Sequence, residues 1–205
     1  KSKMNYNENG KANGEYVAYF YNNKLYNKCS YVNGSIDGPL NVYNLNGQLI
    51  KTVNYKSGKK NGVLKEYFKS GKLRINSVYK DDKLEQDYLQ YYENGQLRVN
   101  AKMSYGYVEN RNSYYANGAL ESEMIKNKES GNFDCKYYHT NKSIYKTELY
   151  SNYGGLQEVI NCFDGKGNSL DKGGFINGNG SLNDYDINGT LVKVHVYKDG
   201  AIVKK

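Results

Sequence analysis

The sequence predicts an all-β chain, an elongated, twisted antiparallel sheet built from tandem β-hairpins. Three observations carry that reading: a motif that returns at a near-constant interval, apolar residues that alternate, and tyrosine where aliphatic core residues are usual. The motif is an aromatic, a turn residue four places on, and an aliphatic two further. It occurs as Tyr43, Gly47, Leu49; Tyr67, Gly71, Leu73; Tyr91, Gly95, Leu97; and Tyr114, Gly118, Leu120. The four glycines lie 24, 24 and 23 residues apart, and a fixed period of this length marks a repeat array. Alternation places Leu73, Ile75, Ser77 and Tyr79 on one face of a strand and Lys72, Arg74, Asn76 and Val78 on the other. No window sustains a helical period. With 24 Tyr against 5 Phe and no Trp, packing rests on tyrosine rings whose hydroxyls stay at the wet edge.

The fullest copy runs from Tyr55 to Leu73. A three-residue loop of Lys69, Ser70 and Gly71, a type I turn closed by a left-handed Gly, sets Phe68 against Lys72 and Tyr67 against Leu73. The same geometry puts turns at Asn46-Gly47, Asn94-Gly95, Asn117-Gly118 and Asn188-Gly189. Weaker copies are Tyr19, Asn23, Leu25; Tyr138, Lys142, Ile144; Phe163 to Leu170 with a one-residue insertion; and Tyr185, Gly189, Leu191, which brings the series to about eight. Asn tolerates the left-handed backbone of the glycine slot, whereas Lys142 fits it poorly. The Tyr and Leu positions of all copies form the expected inward row. The chain therefore reads as a single repeat domain over 1–205, regular across 15–125 and degenerate across 126–205.

A second set of glycines joins one hairpin to the next. Gly10 and Gly14, Gly34 and Gly38, and Gly58 and Gly62 are spaced by four, behind Tyr6, Tyr31 and Tyr55, and read as return turns. Asp82 and Gln86 hold those places in the following copy, so a differently built turn is expected there.

Apolar content is 38% and mean hydropathy is −0.87, so a thick core is not expected. Net charge is +8, and residues 51–80 carry all of it, with nine Lys and Arg against Glu66 alone. A concentrated positive field draws an acidic protein, anionic lipid or glycan. The other reading of the same charge is a solvated face that resists aggregation. No nucleic-acid recognition motif accompanies it. The candidate binding residues are Lys59, Lys60, Lys65, Lys69, Lys72 and Arg74, with Phe68, Tyr92 and Tyr115, which follow the core tyrosines by one place and so point to the opposite face. That aromatic row is either an interface or a face covered by terminal segments and sheet curvature.

Catalytic constellations are missing. His139 and His195 are the only histidines, no nucleophile elbow occurs, and the glycine-rich run from Gly165 to Gly174 lacks P-loop order. Asp164, Lys166 and Asn168 mimic a calcium loop but read better as a turn. Cys29, Cys135 and Cys162, odd in number and widely spaced, read as buried or inert thiols rather than as a disulfide framework or metal site. A non-enzymatic chain without cofactors is expected. No transmembrane run is present, and the start at Lys1-Ser2-Lys3 leaves open a cytoplasmic protein or an exported one whose leader has been removed.

The stretch Tyr-Glu-Asn-Gly-Gln-Leu at Tyr92 to Leu97, with the return turns after Tyr55 and Tyr79, resembles the bacterial variant of the MORN repeat, common in proteins labelled YwqK-family antitoxins. The resemblance is strong from Asn33 to Leu120 and weak after Gly131. It implies a twisted sheet of successive hairpins acting as a protein- or lipid-binding scaffold, although the chain departs from the eukaryotic pattern in having no Trp. A second resemblance, of Tyr91-Tyr92 with Asn94-Gly95, is to choline-binding and clostridial-toxin repeats, and implies a cell-wall glycan or choline ligand.

Overall fold

Tandem hairpins need two kinds of turn, and the computed structural model, in which residues 1–203 are described, shows both. At each hairpin tip a type I turn is closed by a left-handed residue. In the fullest copy the Gly71 N–H donates to the Phe68 carbonyl and the Phe68 N–H to the Lys72 carbonyl, at 2.9 Å each. Gly71 has φ +84, and Tyr67 pairs with Leu73 as the loop length requires. The same cross-strand pairs form at Tyr19 and Leu25, Tyr43 and Leu49, Tyr91 and Leu97, Tyr114 and Leu120, Tyr138 and Ile144, and Tyr185 and Leu191. Each is worth roughly 0.2–1 kcal/mol over an Ala pair. Lys142 does fill the glycine slot, at φ +72.

Six return turns are two-residue turns with both residues at positive φ, Asn33-Gly34, Ser57-Gly58, Asp81-Asp82, Tyr105-Gly106, Asn177-Gly178 and Asp199-Gly200, whereas the connections from Lys126 to Phe133 and from Tyr150 to Leu156 are longer loops with Gly131 and Gly154 at positive φ. The expected departure after Tyr79 does not occur. Asp81 and Asp82 adopt φ +48 and +67, and Gln86 takes φ +60 where its counterparts Gly14, Gly38 and Gly62 lie near +100. Short polar side chains hold the left-handed conformation well enough to keep the turn. Gly10 closes a further tip, with Tyr6 bridged to Ala12, rather than a return turn. The copy at Phe163 contains no insertion: Phe163 bridges Ser169, so Ser169 rather than Leu170 takes the aliphatic slot.

Two compact units result, Lys1–Val108 and Glu109–Lys205. The first holds β1 (Ser2–Lys3), β2 (Gly14–Tyr19), β3 (Leu25–Val32), β4 (Ser35–Ile36), β5 (Gly38–Tyr43), β6 (Leu49–Lys56), β7 (Lys59–Tyr67), β8 (Leu73–Lys80), β9 (Lys83–Tyr91) and β10 (Leu97–Ser104). Each pairs antiparallel with its neighbour in sequence, β4 being a short piece beside β3 ahead of β5. β11 (Tyr107–Tyr114) crosses the boundary. The second unit continues with β12 (Leu120–Lys126), β13 (Phe133–Tyr138), β14 (Ile144–Tyr150) and β15 (Leu156–Cys162), then a three-stranded sheet of β16 (Gly180–Tyr185), β17 (Leu191–Lys198) and β18 (Ala201–Ile202). No described residue is helical, and no helix is long and apolar enough to cross a membrane.

A bulge that the sequence pattern did not reveal re-aims every hairpin. Register shifts at each tip pair, so that Tyr67 faces Leu73 while Glu66 faces Ile75, leaving Arg74 as the extra residue. The alternation expected from Leu73 through Ile75 is therefore broken at Arg74. Leu73 shares a face with Tyr67, whereas Ile75, Ser77 and Tyr79 lie on the other.

That second face carries the most buried row. Val53 faces both Leu40 and Leu64, and Leu64 faces Ser77. Cys29, Val53, Leu64, Ser77 and Ala101 are all buried. The predicted inward tyrosines are only half-buried, and at the degenerate end the expectation fails: Ile144 and Leu191 are 41% and 51% exposed. On the buried face, tyrosines also lie opposite the positive-φ glycines, as Tyr31 on Gly14, Tyr55 on Gly38, Tyr79 on Gly62 and Tyr197 on Gly180. A ring across from a glycine covers backbone that has no side chain of its own.

Candidate functional site

Strand length decides how the basic residues of 51–80 are grouped. β7 spans nine residues, or about 30 Å, several times the Debye length of roughly 8 Å at physiological salt. Lys59 and Lys60 sit at its return-turn end, where the Lys60 ammonium lies 5.1 Å over the Tyr79 ring and the Lys60 N–H donates to Asp82 at 2.9 Å. Lys65, one place from buried Leu64 and opposite Thr52 and Asn76, is on the other face of the sheet. Phe68, Lys69, Lys72 and Arg74 gather at the hairpin tip. The patch read from the sequence is thus three separate groups, of which the tip holds the largest.

Bulges build the tip. At three tips the residue after the core tyrosine meets the bulged residue six places on: Phe20 packs edge-on against Tyr26 with centroids 4.9 Å apart, Arg98 lies 5.6 Å over Tyr92, and His139 meets Tyr145 at 4.9 Å. Tyr92 and Phe68 are both half-buried, not a free aromatic row. Tyr115 belongs to the second unit, where its hydroxyl donates to the Tyr138 carbonyl at 2.7 Å. Lys72 reaches across to the next tip, donating to the Glu93 carbonyl at 3.0 Å.

Between the second and third tips lies a groove of about 790 Å³, bordered by Leu45, Ile50, Lys51, Phe68, Lys69 and Arg74 among others. Glu66 stands in its wall and is bonded by both Lys51, at 3.0 Å, and Arg74. Burial alone would raise the Glu66 carboxyl, but Lys51 and Arg74 outweigh it and hold its pKa below the ordinary range. Sequence reasoning found Phe68, Lys69 and Arg74 of this groove, counted Lys51 in the basic stretch without placing it among the binding residues, and missed Leu45 and Ile50. The available signal was Asn44, a polar residue in a slot that holds Phe20, Phe68 and Tyr92 at the neighbouring tips.

The return-turn edge carries another feature the sequence reading passed over. Asn13, Asp37, Glu85 and Asn179 each accept the backbone N–H of the residue 20 places on, at 3.0–3.2 Å, and so tie one return turn to the next. All four directly precede the positive-φ position.

The second unit gathers the other chemistry-bearing side chains. Glu148 is 2% exposed and pairs with Lys146 at 2.9 Å. Lys146 also reaches Asp184 at 3.2 Å, and Asp184 meets His195 at 2.9 Å. Tyr150 donates to Glu148 at 2.9 Å, and the Lys146 ammonium lies 5.3 and 5.4 Å over Tyr137 and Tyr145. Burial pulls the Lys146 ammonium down, yet Glu148 and then Asp184 outweigh it and leave the pKa raised. Burial, reinforced by Glu148, pushes Tyr137 up to about 12 and Tyr150 higher still. Every one of these groups is engaged by another, so the cluster ties β14 to β16 and β17 rather than presenting a reactive atom. The three cysteines are free and buried, and burial raises the Cys135 thiol to about 11, which leaves little thiolate. Among the described residues no group of His, Cys, Asp and Glu is arranged to hold a metal ion.

Four segments of the chain, 12–33, 36–57, 60–81 and 87–101, match the MORN repeat variant, and all four lie in the first unit. No curated protein matches. Among solved structures, the crystal structure of TcdB2-TccC3-Cdc42 covers 96% of this chain at 12% identity and a TM-score of 0.23. That of TcdB2-TccC3-TEV covers 96% at 14% identity and the same TM-score. This chain spans about 12% of the length of either, and at that TM-score the likeness carries no conclusion. MORN repeats are protein- or lipid-binding modules and generally non-catalytic.

Proposed function

We propose that this protein is a non-enzymatic scaffold that binds an acidic protein partner through the hairpin-tip edge of its third repeat. The observation that supports this reading is the gathering of Phe68, Lys69, Lys72 and Arg74 at one tip, beside a recess with an apolar wall. Aromatic residues and Arg are favoured at protein interfaces, and like charges within a Debye length reinforce one another's field. The two remaining basic groups, Lys59 with Lys60 and Lys65, add to the net field that steers a partner without forming part of the contact. Resemblance to YwqK-family repeats makes a toxin held by its antitoxin one such partner.

Reversal of Lys69, Lys72 and Arg74 to Glu tests the reading. Affinity for an acidic protein falls in the variant, 1 M salt mimics the loss, and circular dichroism shows the fold intact. Unchanged affinity in both arms would leave the charge as a solvated face. Binding to anionic vesicles but to no acidic protein would instead favour a lipid surface.

A further inference from the structure

Along the four hairpin tips from Phe20 to Tyr92 the row of side chains has one missing ring, and the groove lies beside it. Successive tips place Phe20, Asn44, Phe68 and Tyr92 after the core tyrosine. At the second tip the Asn44 side chain turns back onto its own loop. Its oxygen accepts the N–H groups of Asn46 and Gln48 at 2.9 and 3.1 Å, and its amide donates to the Gln48 side chain at 3.2 Å. The space a ring would fill stays open between Ile50 and Phe68. Three cations, Lys51, Lys69 and Arg74, border it against the single carboxylate Glu66. Lys51 and Arg74 share that carboxylate, so the lining keeps an excess positive charge, with Lys69 exposed at the rim.

We propose that this groove seats an acidic segment of the partner, one apolar side chain lodging between Ile50 and Phe68 and an adjacent carboxylate meeting Lys69 and Arg74. The inference rests on the scaffold reading above and gives it a specific pocket. Charge complementarity sets the sign of the ligand. The recess sets its class, because a concave apolar slot takes a single side chain, whereas a headgroup layer meets only the projecting charges. Arg74 suits the task, since a guanidinium carries five N–H donors in a fixed fork and Glu66 engages its Nη2.

Asn44→Tyr supplies the ring found at the fourth tip and changes no charge. Asn46 stands where Asn94 caps that fourth tip, so the turn retains a capping side chain. Leu45→Glu, at an exposed loop position, sets a like charge at the rim and is independent of any effect of Asn44 on folding. The probe is a short fluorescent peptide in which Asp or Glu alternates with Leu or Phe, and the readout is anisotropy. The wild-type chain binds it, Asn44→Tyr and Leu45→Glu each weaken it by at least about tenfold, and a peptide with Asn and Gln for the acids does not bind. Failure of the wild-type chain to bind, or equal binding of the neutral peptide, overturns the groove. Wild-type affinity in Asn44→Tyr and Leu45→Glu alongside a loss on Lys69→Glu removes the groove and leaves the charge-driven scaffold standing. Phosphatidylserine vesicles that bind wild type and Asn44→Tyr alike and displace the peptide would also overturn it, in favour of a membrane surface.

Discussion

The two units hold the same kind of hairpin ladder around cores of different chemistry. In the first, the buried row runs through Cys29, Val53, Leu64, Ser77 and Ala101, and small or aliphatic side chains suffice. In the second, the row passes through Cys135 to Glu148 and Val159, and a carboxylate that is 2% exposed is held by Lys146. There Leu182 and Tyr197 of the three-stranded sheet join Leu156, Val159, Phe175 and Tyr150 in an apolar cluster. The difference teaches that the turns and bulges, not the identity of the buried residue, specify the repeat. Once register is set by a left-handed residue and a bulge, the central slot accepts valine, serine or an ion pair.

The largest effect that separates the units is expected at Glu148. Its replacement by Ala strips Lys146 of its main partner, and breaking a buried pair in this way costs about 3–5 kcal/mol. Hydrogen exchange resolves where the loss falls: protection drops in β13 to β17 and holds in β5 to β9. Leu64→Ala is the converse, costing about 2–5 kcal/mol with the loss confined to the first unit. Equal loss of protection in both units for either variant would show that they do not unfold separately.

Alkali sharpens the same contrast. Lys146, Tyr137, Tyr145 and Tyr150 all have folded pKa values above their ordinary 10.5 or 10.0, with Tyr137 and Tyr145 at about 12. The folded second unit therefore holds more protons than its unfolded chain above pH 10, and its stability, undiminished below that, falls as pH rises. Denaturant midpoints taken from pH 9 upward should fall for the second unit first; a first unit that melts earlier would contradict the assignment.

Smaller effects test the degenerate repeats. Leu73→Ala is expected to cost on the order of 2 kcal/mol, whereas Leu191→Ala, at a half-exposed position, costs only about 0.5 kcal/mol. Gln86→Gly should stabilise by roughly 1 kcal/mol by relieving a left-handed side-chain residue, as read from thermal midpoints. A destabilised Gly variant would mean the Gln86 side chain makes up more than its backbone costs.

Much of the fold was legible because it rests on local turn chemistry. Gly71, four places after Tyr67 and two before Leu73, specifies loop length, and loop length specifies register. The bulge at Arg74 was not legible, since an extra residue changes no residue type, only the face on which its successors fall. For that reason the row of tyrosines was read as the core, while Val53 and Leu64 carry it. The turn at Asp81-Asp82 was misread because glycine is the usual signal and aspartate reaches the same backbone conformation at some cost. Of the candidate site, Phe68, Lys69, Lys72 and Arg74 were found from charge and position. Their separation from Lys59, Lys60 and Lys65 needed the length and facing of β7, which composition does not contain. Lys146, Glu148 and Asp184 stayed hidden because their meeting depends on how β16 returns to β14.

The central claim is that binding belongs to the hairpin-tip edge and not to the net charge of the chain. Two variants of equal intent decide it: Lys69→Glu with Lys72→Glu at the tip, and Lys59→Glu with Lys60→Glu at the return-turn end, each titrated with the acidic peptide at low and at physiological salt. The account predicts that the tip pair abolishes binding at both salt concentrations, while the return-turn pair weakens it only at low salt, where the field reaches further. Equal losses from the two pairs, tracking charge alone, would contradict it.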